Sequence, residues 1–154
     1  MEESGSPATI LVIDDSEAIR VLVGTYLREA GYQVFEANDG QSGLESCRHL
    51  SPDLILLDVS MPGMDGFTLC TILQEDEGLR TIPIIILTSR EETDAKMRAF
   101  DLGAVDYLTK PFSKREILAR IRTHLKISSL THSLQQANKE LRARQEQLEQ
   151  EIRT

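Results

Sequence analysis

The sequence has little of what secreted, membrane-spanning or zinc-binding proteins depend on. Only two cysteines occur in 154 residues, and neither Cys47 nor Cys70 lies in a Cys-x-x-Cys or Cys/His ligand spacing. We therefore expect free, at least partly buried thiols and no disulfide framework. No apolar run reaches about 18 residues, and the acidic start, Met1-Glu2-Glu3, does not resemble a signal peptide. These absences predict a cytoplasmic protein without membrane insertion.

Basic residues are also too few for a surface that binds nucleic acid through bulk charge. Lys and Arg number 17 against 25 Asp and Glu, which gives a net charge of −8. Residues 1–124 carry 12 basic and 21 acidic side chains, and residues 125–154 carry 5 and 4, so neither part forms a basic patch. We expect no direct contact of this chain with nucleic acid.

The sequence does contain enough apolar residues for one core, because 40% of the chain is hydrophobic. Short apolar runs alternate with segments of helical period over the first 124 residues. The predicted strands are Thr9–Ile13, Gln33–Ala37, Leu54–Leu57, Ile82–Leu87 and Asp106–Leu108. The predicted helices are Glu17–Ala30, Gln41–Leu50, Phe67–Glu75, Thr93–Leu102 and a fifth from Lys114 onward.

This strict alternation predicts an α/β fold with a doubly wound, five-stranded parallel sheet, flavodoxin-like, in the order 2-1-3-4-5. The second strand is less apolar than the others and the fifth is short, so both should lie at edges of the sheet. Gly31 and Gly103 stand where helices need a left-handed residue to end, and Ser113 can cap the fifth helix.

Three regions are expected: a disordered segment at residues 1–8, a globular domain at 9–124, and a coiled-coil helical linker at 125–154. No Gly or Pro interrupts the linker, where apolar residues recur at Ile127, Leu130, Leu134, Leu141, Leu148 and Ile152. Two heptad frames compete, because the three leucines from Leu134 onward fit position a or position d. The frame with these leucines at d places Asn138 at a. This combination favours a parallel two-stranded coil and hence a homodimer.

Polar side chains follow the strands at the edge where a doubly wound fold binds its ligand. Asp14 and Asp15 follow the first strand, Asp58 the third, Thr88 the fourth and Lys110 the fifth. Asp14 and Asp15 could instead cap the first helix. Convergence of three carboxylates, a hydroxyl and an ammonium group nevertheless favours a site for Mg²⁺ and a phosphoryl group.

The same residues belong to stretches that resemble a known family. The stretches are Ile13-Asp14-Asp15-Ser16, Leu57-Asp58 followed by Met61-Pro62-Gly63-Met64-Asp65-Gly66, Leu87-Thr88-Ser89, and Gly103-Ala104-x-Asp106-Tyr107-x-x-Lys110-Pro111-Phe112. Together and in this order they resemble the receiver domain of two-component response regulators over about residues 8–124. Receivers with such charged helical linkers are similar to those that precede diguanylate cyclases or histidine kinases.

The resemblance implies that Asp58 accepts a phosphoryl group from a sensor histidine kinase or a phosphotransfer protein. It places Asp14, Asp15, Asp58 and the backbone carbonyl of Ser60 around Mg²⁺. It also implies that Lys110 pairs with the acceptor or its phosphoryl group. A receiver catalyses only its own phosphorylation and dephosphorylation, so the chain itself is not expected to be an enzyme.

By the same resemblance, Thr88 and Tyr107 form a switch pair, and the Lys110-Pro111 peptide bond is cis. Ser60 and Arg90 resemble positions that tune the lifetime of the phosphoryl group.

Two other functions fit this sequence less well. An aspartyl-phosphate phosphohydrolase would usually have a general-acid Asp two residues after its nucleophile, where this chain has Ser60. A scaffold that no longer takes phosphate is disfavoured by the presence of all the acidic and basic site residues.

The three histidines of the chain are expected to have no role at this site. His49, His124 and His132 are expected on helical surfaces in solvated or packing roles.

Overall fold

A computed structural model of the chain describes residues 6–61, 65–89 and 100–153. Its elements are β1 (Thr9–Ile13), α1 (Glu17–Glu29), β2 (Gln33–Ala37), α2 (Gly40–Leu50), β3 (Leu54–Asp58), α3 (Gly66–Glu75), β4 (Ile84–Thr88), β5 (Asp106–Thr109) and a C-terminal helix (Lys114–Arg153). Most of the predicted helix Thr93–Leu102 lies outside the described residues, and so does Arg90.

The sheet has the predicted topology. All four strand pairs are parallel and the order is β2-β1-β3-β4-β5, so β2 and β5 are at the edges. The fold prediction is therefore confirmed. The third and fourth strands each extend one residue further than predicted, because Asp58 pairs with Leu87 and Thr88 pairs with Thr109 in the ladder. Two site residues thus occupy the last strand positions.

The strand alternation divides the core into two layers. On one face of the sheet, Leu11, Ile55 and Ile86 pack with buried side chains of α2 and α3. On the other face, Ile10, Leu56 and Ile85 pack with α1 and the start of the C-terminal helix. Strands β3 and β4 are buried along their whole length, as the continuous apolar runs predict.

Polar side chains define where the helices begin. Ser16 accepts a hydrogen bond from the Ile19 backbone N–H and is the N-cap of α1, so neither Asp14 nor Asp15 is this cap. Ser113 caps the C-terminal helix through the Glu116 N–H, as predicted. Gly31 and Gly103 have φ angles of 97° and 100°, which confirms the predicted left-handed positions.

The C-terminal helix runs without a break for 40 residues, about 60 Å, and only Ile117 and Ile121 on it are buried. Its outer part exposes the six apolar residues of the predicted linker that recur from Ile127 to Ile152, which we call the leucine seam. Their exposed fractions range from 52% at Ile127 to 84% at Ile152. The continuous helix is confirmed, whereas its pairing stays a prediction. None of the helices in the described ranges combines the length and apolar character that a membrane crossing requires.

Both cysteines are buried free thiols, as expected. Burial raises the pKa of Cys47 and of Cys70 to about 12.

Candidate functional site

The carboxyl ends of β1 and β3 bring three carboxylates together. Oxygen atoms of Asp14, Asp15 and Asp58 all lie within 4.8 Å of one another. Asp14 is fully buried and Asp58 is 4% exposed, whereas Asp15 faces solvent. The predicted convergence of the strand ends therefore occurs.

Lys110 comes from the loop after β5 and reaches into this cluster. Its Nζ lies 3.1 Å from Asp14 Oδ2 and 3.7 Å from Asp58 Oδ2, so the shorter ion pair is with Asp14. The Lys110-Pro111 peptide bond is cis, as the resemblance implied. The single ammonium group offsets only part of the negative charge of the cluster.

Asp58 is strongly affected by these surroundings. Burial raises its pKa from 3.8 to about 6, and the negative charge of Asp14 acts in the same direction. The Ser60 backbone N–H, which donates to Asp58 Oδ1 at 3.0 Å, and the charge of Lys110 oppose this rise. A further cation beside the ionised carboxylate would therefore lower the free-energy cost of its charge.

The residues present fit a magnesium ion. The cluster offers only oxygen ligands, and the exposed Asp15 keeps one side open to water, which Mg²⁺ retains in most protein sites. A divalent charge would offset the repulsion between the acidic groups.

Thr88 lies at the end of β4, the strand next to β3. Its side chain is 1% exposed, and its Oγ1 has no hydrogen-bond partner among the described residues. Buried hydroxyls usually have partners, so this one is available to an acceptor that arrives later. Tyr107, on the adjacent β5, is partly buried and packs edge-on against Phe100 with ring centroids 5.8 Å apart.

A second polar cluster was not expected from the sequence. Asp106 accepts from Arg120 Nη1 at 2.8 Å, and His124 Nε2 lies 2.9 Å from Asp106 Oδ2. The expectation that His124 has only a solvated or packing role is wrong. The spacing of Arg120 and His124, four residues apart on one helix face, could have indicated a shared partner, but sequence spacing does not identify a strand residue as that partner.

Arg20 of α1 is the other polar residue that sequence reasoning missed. Its Nη1 donates to the backbone carbonyl of Asp14 at 2.7 Å, and its Nε lies 3.4 Å from Glu36 Oε1. It therefore contacts the turn that carries two of the three acidic residues.

The comparisons with known proteins decide the family. The sequence model of the response regulator receiver domain matches residues 10–122. The chain belongs to this family. A related protein from Synechocystis sp., the DNA-binding dual master transcriptional regulator RpaA, is 48% identical over 117 residues, which are 76% of this chain and 48% of RpaA.

Two further proteins are similar to this chain over the same region. The phosphate regulon transcriptional regulatory protein PhoB of Pseudomonas aeruginosa is 43% identical over 77% of this chain and 52% of its own length. The crystal structure of the chemotaxis protein CheY4 of Vibrio cholerae superposes with a TM-score of 0.72 at 32% identity, covering 76% of this chain and 98% of CheY4. The chain thus spans about half the length of the transcriptional regulators that it matches, and a whole receiver domain.

Family membership establishes several coarse properties. The chain has the receiver of a two-component response regulator, a class of protein that is switched by phosphorylation and interacts with sensor histidine kinases. Receiver domains have an acidic pocket that binds Mg²⁺, and this chain has a cluster of three acidic residues. The named relatives are regulators rather than enzymes.

The expectation that the chain avoids nucleic acid finds no support, because RpaA is a DNA-binding regulator. The net charge describes only the 154 residues of this chain, whereas RpaA is about twice as long as the matched region.

Proposed function

We propose that Asp58 is the phosphoacceptor of this receiver and that a sensor histidine kinase or a phosphotransfer protein supplies the phosphoryl group. The observation that carries the proposal is the position of Asp58. It is the buried carboxylate at the end of central strand β3, where it lies within 4.8 Å of the acidic residues that follow β1 and 3.7 Å from Lys110 Nζ.

In the proposed step, an Asp58 carboxylate oxygen attacks the phosphorus of a phosphohistidine. The new O–P bond forms as the P–N bond breaks, and the imidazole leaves with the electron pair. Lys110 is close enough to neutralise charge on the phosphoryl oxygens. Its ammonium contacts both Asp14 and Asp58, so it also orients the acceptor before the donor arrives.

Asp14, Asp15, Asp58 and the Ser60 backbone carbonyl are proposed to hold Mg²⁺. When bound, the ion supplies positive charge for the carboxylates and for the transferring phosphoryl oxygens. The protein contributes the fixed carboxylate positions, since Asp14 and Asp58 are each held by a backbone N–H two residues later.

Phosphorylation is proposed to act through Thr88 and Tyr107. The buried Thr88 hydroxyl has no hydrogen-bond partner among the described residues and can donate to a phosphoryl oxygen. If the threonine side chain moves towards Asp58, the partly buried Tyr107 ring can take up the vacated space. The output surface would then change at β5, the strand that carries Tyr107, and at the C-terminal helix that follows it in sequence.

A homodimer through the C-terminal helix is the second part of the proposal. Leu130 follows Ile121 by nine residues, which at about 100° per residue places it on the opposite side of the helix. The buried residues Ile117 and Ile121 face the sheet, so the leucine seam points away from its own receiver. This arrangement suits pairing with a second copy.

The phosphoacceptor is tested with a small phosphodonor and Mg²⁺. Intact-protein mass spectrometry should show one added phosphoryl group on the parent and none on Asp58→Asn. The matched control is Asp101→Asn, because Asp101 is exposed and precedes β5, at the other end of that strand from the site. Undiminished labelling of Asp58→Asn would overturn the assignment.

A further inference from the structure

Asp14 has all of its polar atoms occupied by the protein. Its N–H donates to the carbonyl of Ala37 at 3.1 Å, and its Oδ1 accepts from the Ser16 N–H at 2.9 Å. Its Oδ2 pairs with Lys110. The remaining atom, the backbone carbonyl oxygen, accepts from Arg20 at 2.7 Å.

Asp14 is fully buried with Arg20 in place, so the guanidinium covers that carbonyl oxygen as well as donating to it. Loss of the donor would leave a buried acceptor unsatisfied, which costs more than an ordinary hydrogen bond contributes. The turn would then relax to reach another donor, and its carboxylates would move with it.

Glu36 of β2 orients the guanidinium. Its Oε1 lies 3.4 Å from Arg20 Nε, while its Oε2 lies 3.3 Å from Nη2 of Arg28, about two helical turns further along α1. The Arg20 side chain is 14% exposed and the Arg28 side chain is 52% exposed. The two arginines therefore share a partner, but only Arg20 also reaches Asp14.

We propose that Arg20 is a positioning residue that holds the Asp14–Asp15 turn in its cation-binding conformation, with Glu36 as the group that orients it. The inference rests on the proposed Mg²⁺ site. Arg20 acts through the backbone, so it need not contact the ion or the phosphoryl group. Its charge also lies near the acidic pocket, where it lowers the repulsion that would open the metal-free turn.

The test compares two substitutions of the same type. Arg20→Met removes the donor that reaches Asp14, and Arg28→Met removes an equal charge from the same helix and the same Glu36. Mg²⁺ affinity is measured by calorimetric titration of the full chain. We expect Arg20→Met to raise the Mg²⁺ dissociation constant about tenfold, as for the loss of one charge-assisted hydrogen bond. Arg28→Met should stay within about twofold of the parent.

A second measurement needs no metal. Amide hydrogen exchange at Ser16, whose N–H donates to Asp14 Oδ1, reports how firmly the turn is held in metal-free protein. Exchange at Ser16 should be faster in Arg20→Met and unchanged in Arg28→Met. Arg20→Lys, which keeps the charge and a donor, should recover part of both effects.

The outcomes separate the inference from the function on which it rests. Failure of the parent to bind Mg²⁺ would reject the proposed metal site, while the exchange measurement would still decide whether Arg20 holds the turn. Equal Mg²⁺ affinity in parent and Arg20→Met, even with a lower melting temperature, would overturn the positioning role. Equal weakening in both arginine variants would also overturn it, because the effect would then come from the general attachment of α1 to β2.

Discussion

Asp58 illustrates how folding places an acidic residue where its charged form is disfavoured. Burial and the neighbouring Asp14 raise its pKa, so at neutral pH the metal-free protein holds an ionised carboxylate at a free-energy cost. The proposed phosphoryl transfer requires this state, since the ionised oxygen would be the nucleophile. Function and stability therefore conflict at this residue until a cation arrives.

Asp58→Asn should accordingly stabilise the metal-free protein at pH 7. The pKa rise from 3.8 to about 6 corresponds to on the order of 3 kcal/mol, since one pKa unit is about 1.4 kcal/mol. Urea unfolding in the presence of a chelator measures the difference. The advantage should vanish below about pH 4, where the carboxyl is protonated in both states, and should shrink in Mg²⁺, which stabilises only the parent. A variant less stable than the parent under chelation would contradict this account.

Asp106 shows the opposite shift. Burial alone would raise its pKa, but hydrogen bonds from Arg120, His124 and the Tyr107 N–H, together with the Arg120 charge, lower it. A lowered folded-state pKa means that the ionised carboxylate contributes stability above the ordinary carboxyl pKa. This contribution is lost as the pH falls through the lower, folded-state value.

We therefore expect Asp106→Asn to destabilise the protein by about 1–3 kcal/mol at pH 7, since it removes hydrogen bonds between charged groups. The difference from the parent should begin to shrink as the pH falls below about 4. Denaturant unfolding at a series of pH values measures it. A difference that stays constant down to pH 2 would show that the carboxylate charge at Asp106 is not the stabilising feature.

At the scale of elements, continuous apolar runs were sufficient to predict β1, β3 and β4, because parallel central strands need cover on both faces. The site was predictable for the same reason, since the ends of such strands meet at one edge. The start of β4 could not be predicted in this way. Ile82 belongs to a turn, and the strand begins at Ile84. Pro83 precedes it and lacks the N–H that the hydrogen bonds of a β-sheet require. Contacts such as the hydrogen bond from Arg20 to Asp14 depend on how a helix packs against the sheet. The hydrophobic periodicity of the sequence does not determine this packing.

The packing of α3 against the end of β3 gives a prediction at this scale. Gly66 begins α3, and a Cβ there would lie 2.7 Å from the Asp58 carbonyl oxygen and from the Val59 Cα. Gly66→Ala must therefore move the helix or the strand end that carries Asp58, the proposed phosphoacceptor. We expect a loss of about 1–3 kcal/mol in unfolding free energy, together with slower phosphorylation.

Gly78→Ala is the matched control, because a Cβ at residue 78 meets only the Asp76 Oδ1 at 3.4 Å. Its stability and its rate of phosphorylation should stay near those of the parent. Parent-like behaviour of Gly66→Ala would show that the contact between α3 and the strand end can relax without affecting the site.

At the scale of the whole molecule, one rigid element joins the receiver to the far end of the chain. The C-terminal helix begins five residues after Thr109 of β5, is anchored by Ile117 and Ile121, and continues to Arg153. Asp106 binds Arg120 and His124 on this helix, and Asp106 precedes Tyr107. A change at Tyr107 can thus alter how the two helices of a dimer meet, provided that the pair has two arrangements.

The dimer itself is the last prediction. The full chain should be a parallel homodimer joined through the leucine seam, because a single exposed helix of this length gains most of its stability from a partner. Truncation after Thr123 keeps Ile117 and Ile121 and should leave a folded receiver that is mostly monomeric without phosphate. In the full chain, a double substitution of Leu134 and Leu141 by Gln should dissociate the dimer, whereas Gln136→Ala, on the other side of the helix, should not. Light scattering over a range of concentrations measures all four. A monomeric full chain at high concentration, or a truncated chain that is equally dimeric, would show that the helix is not the dimerising element.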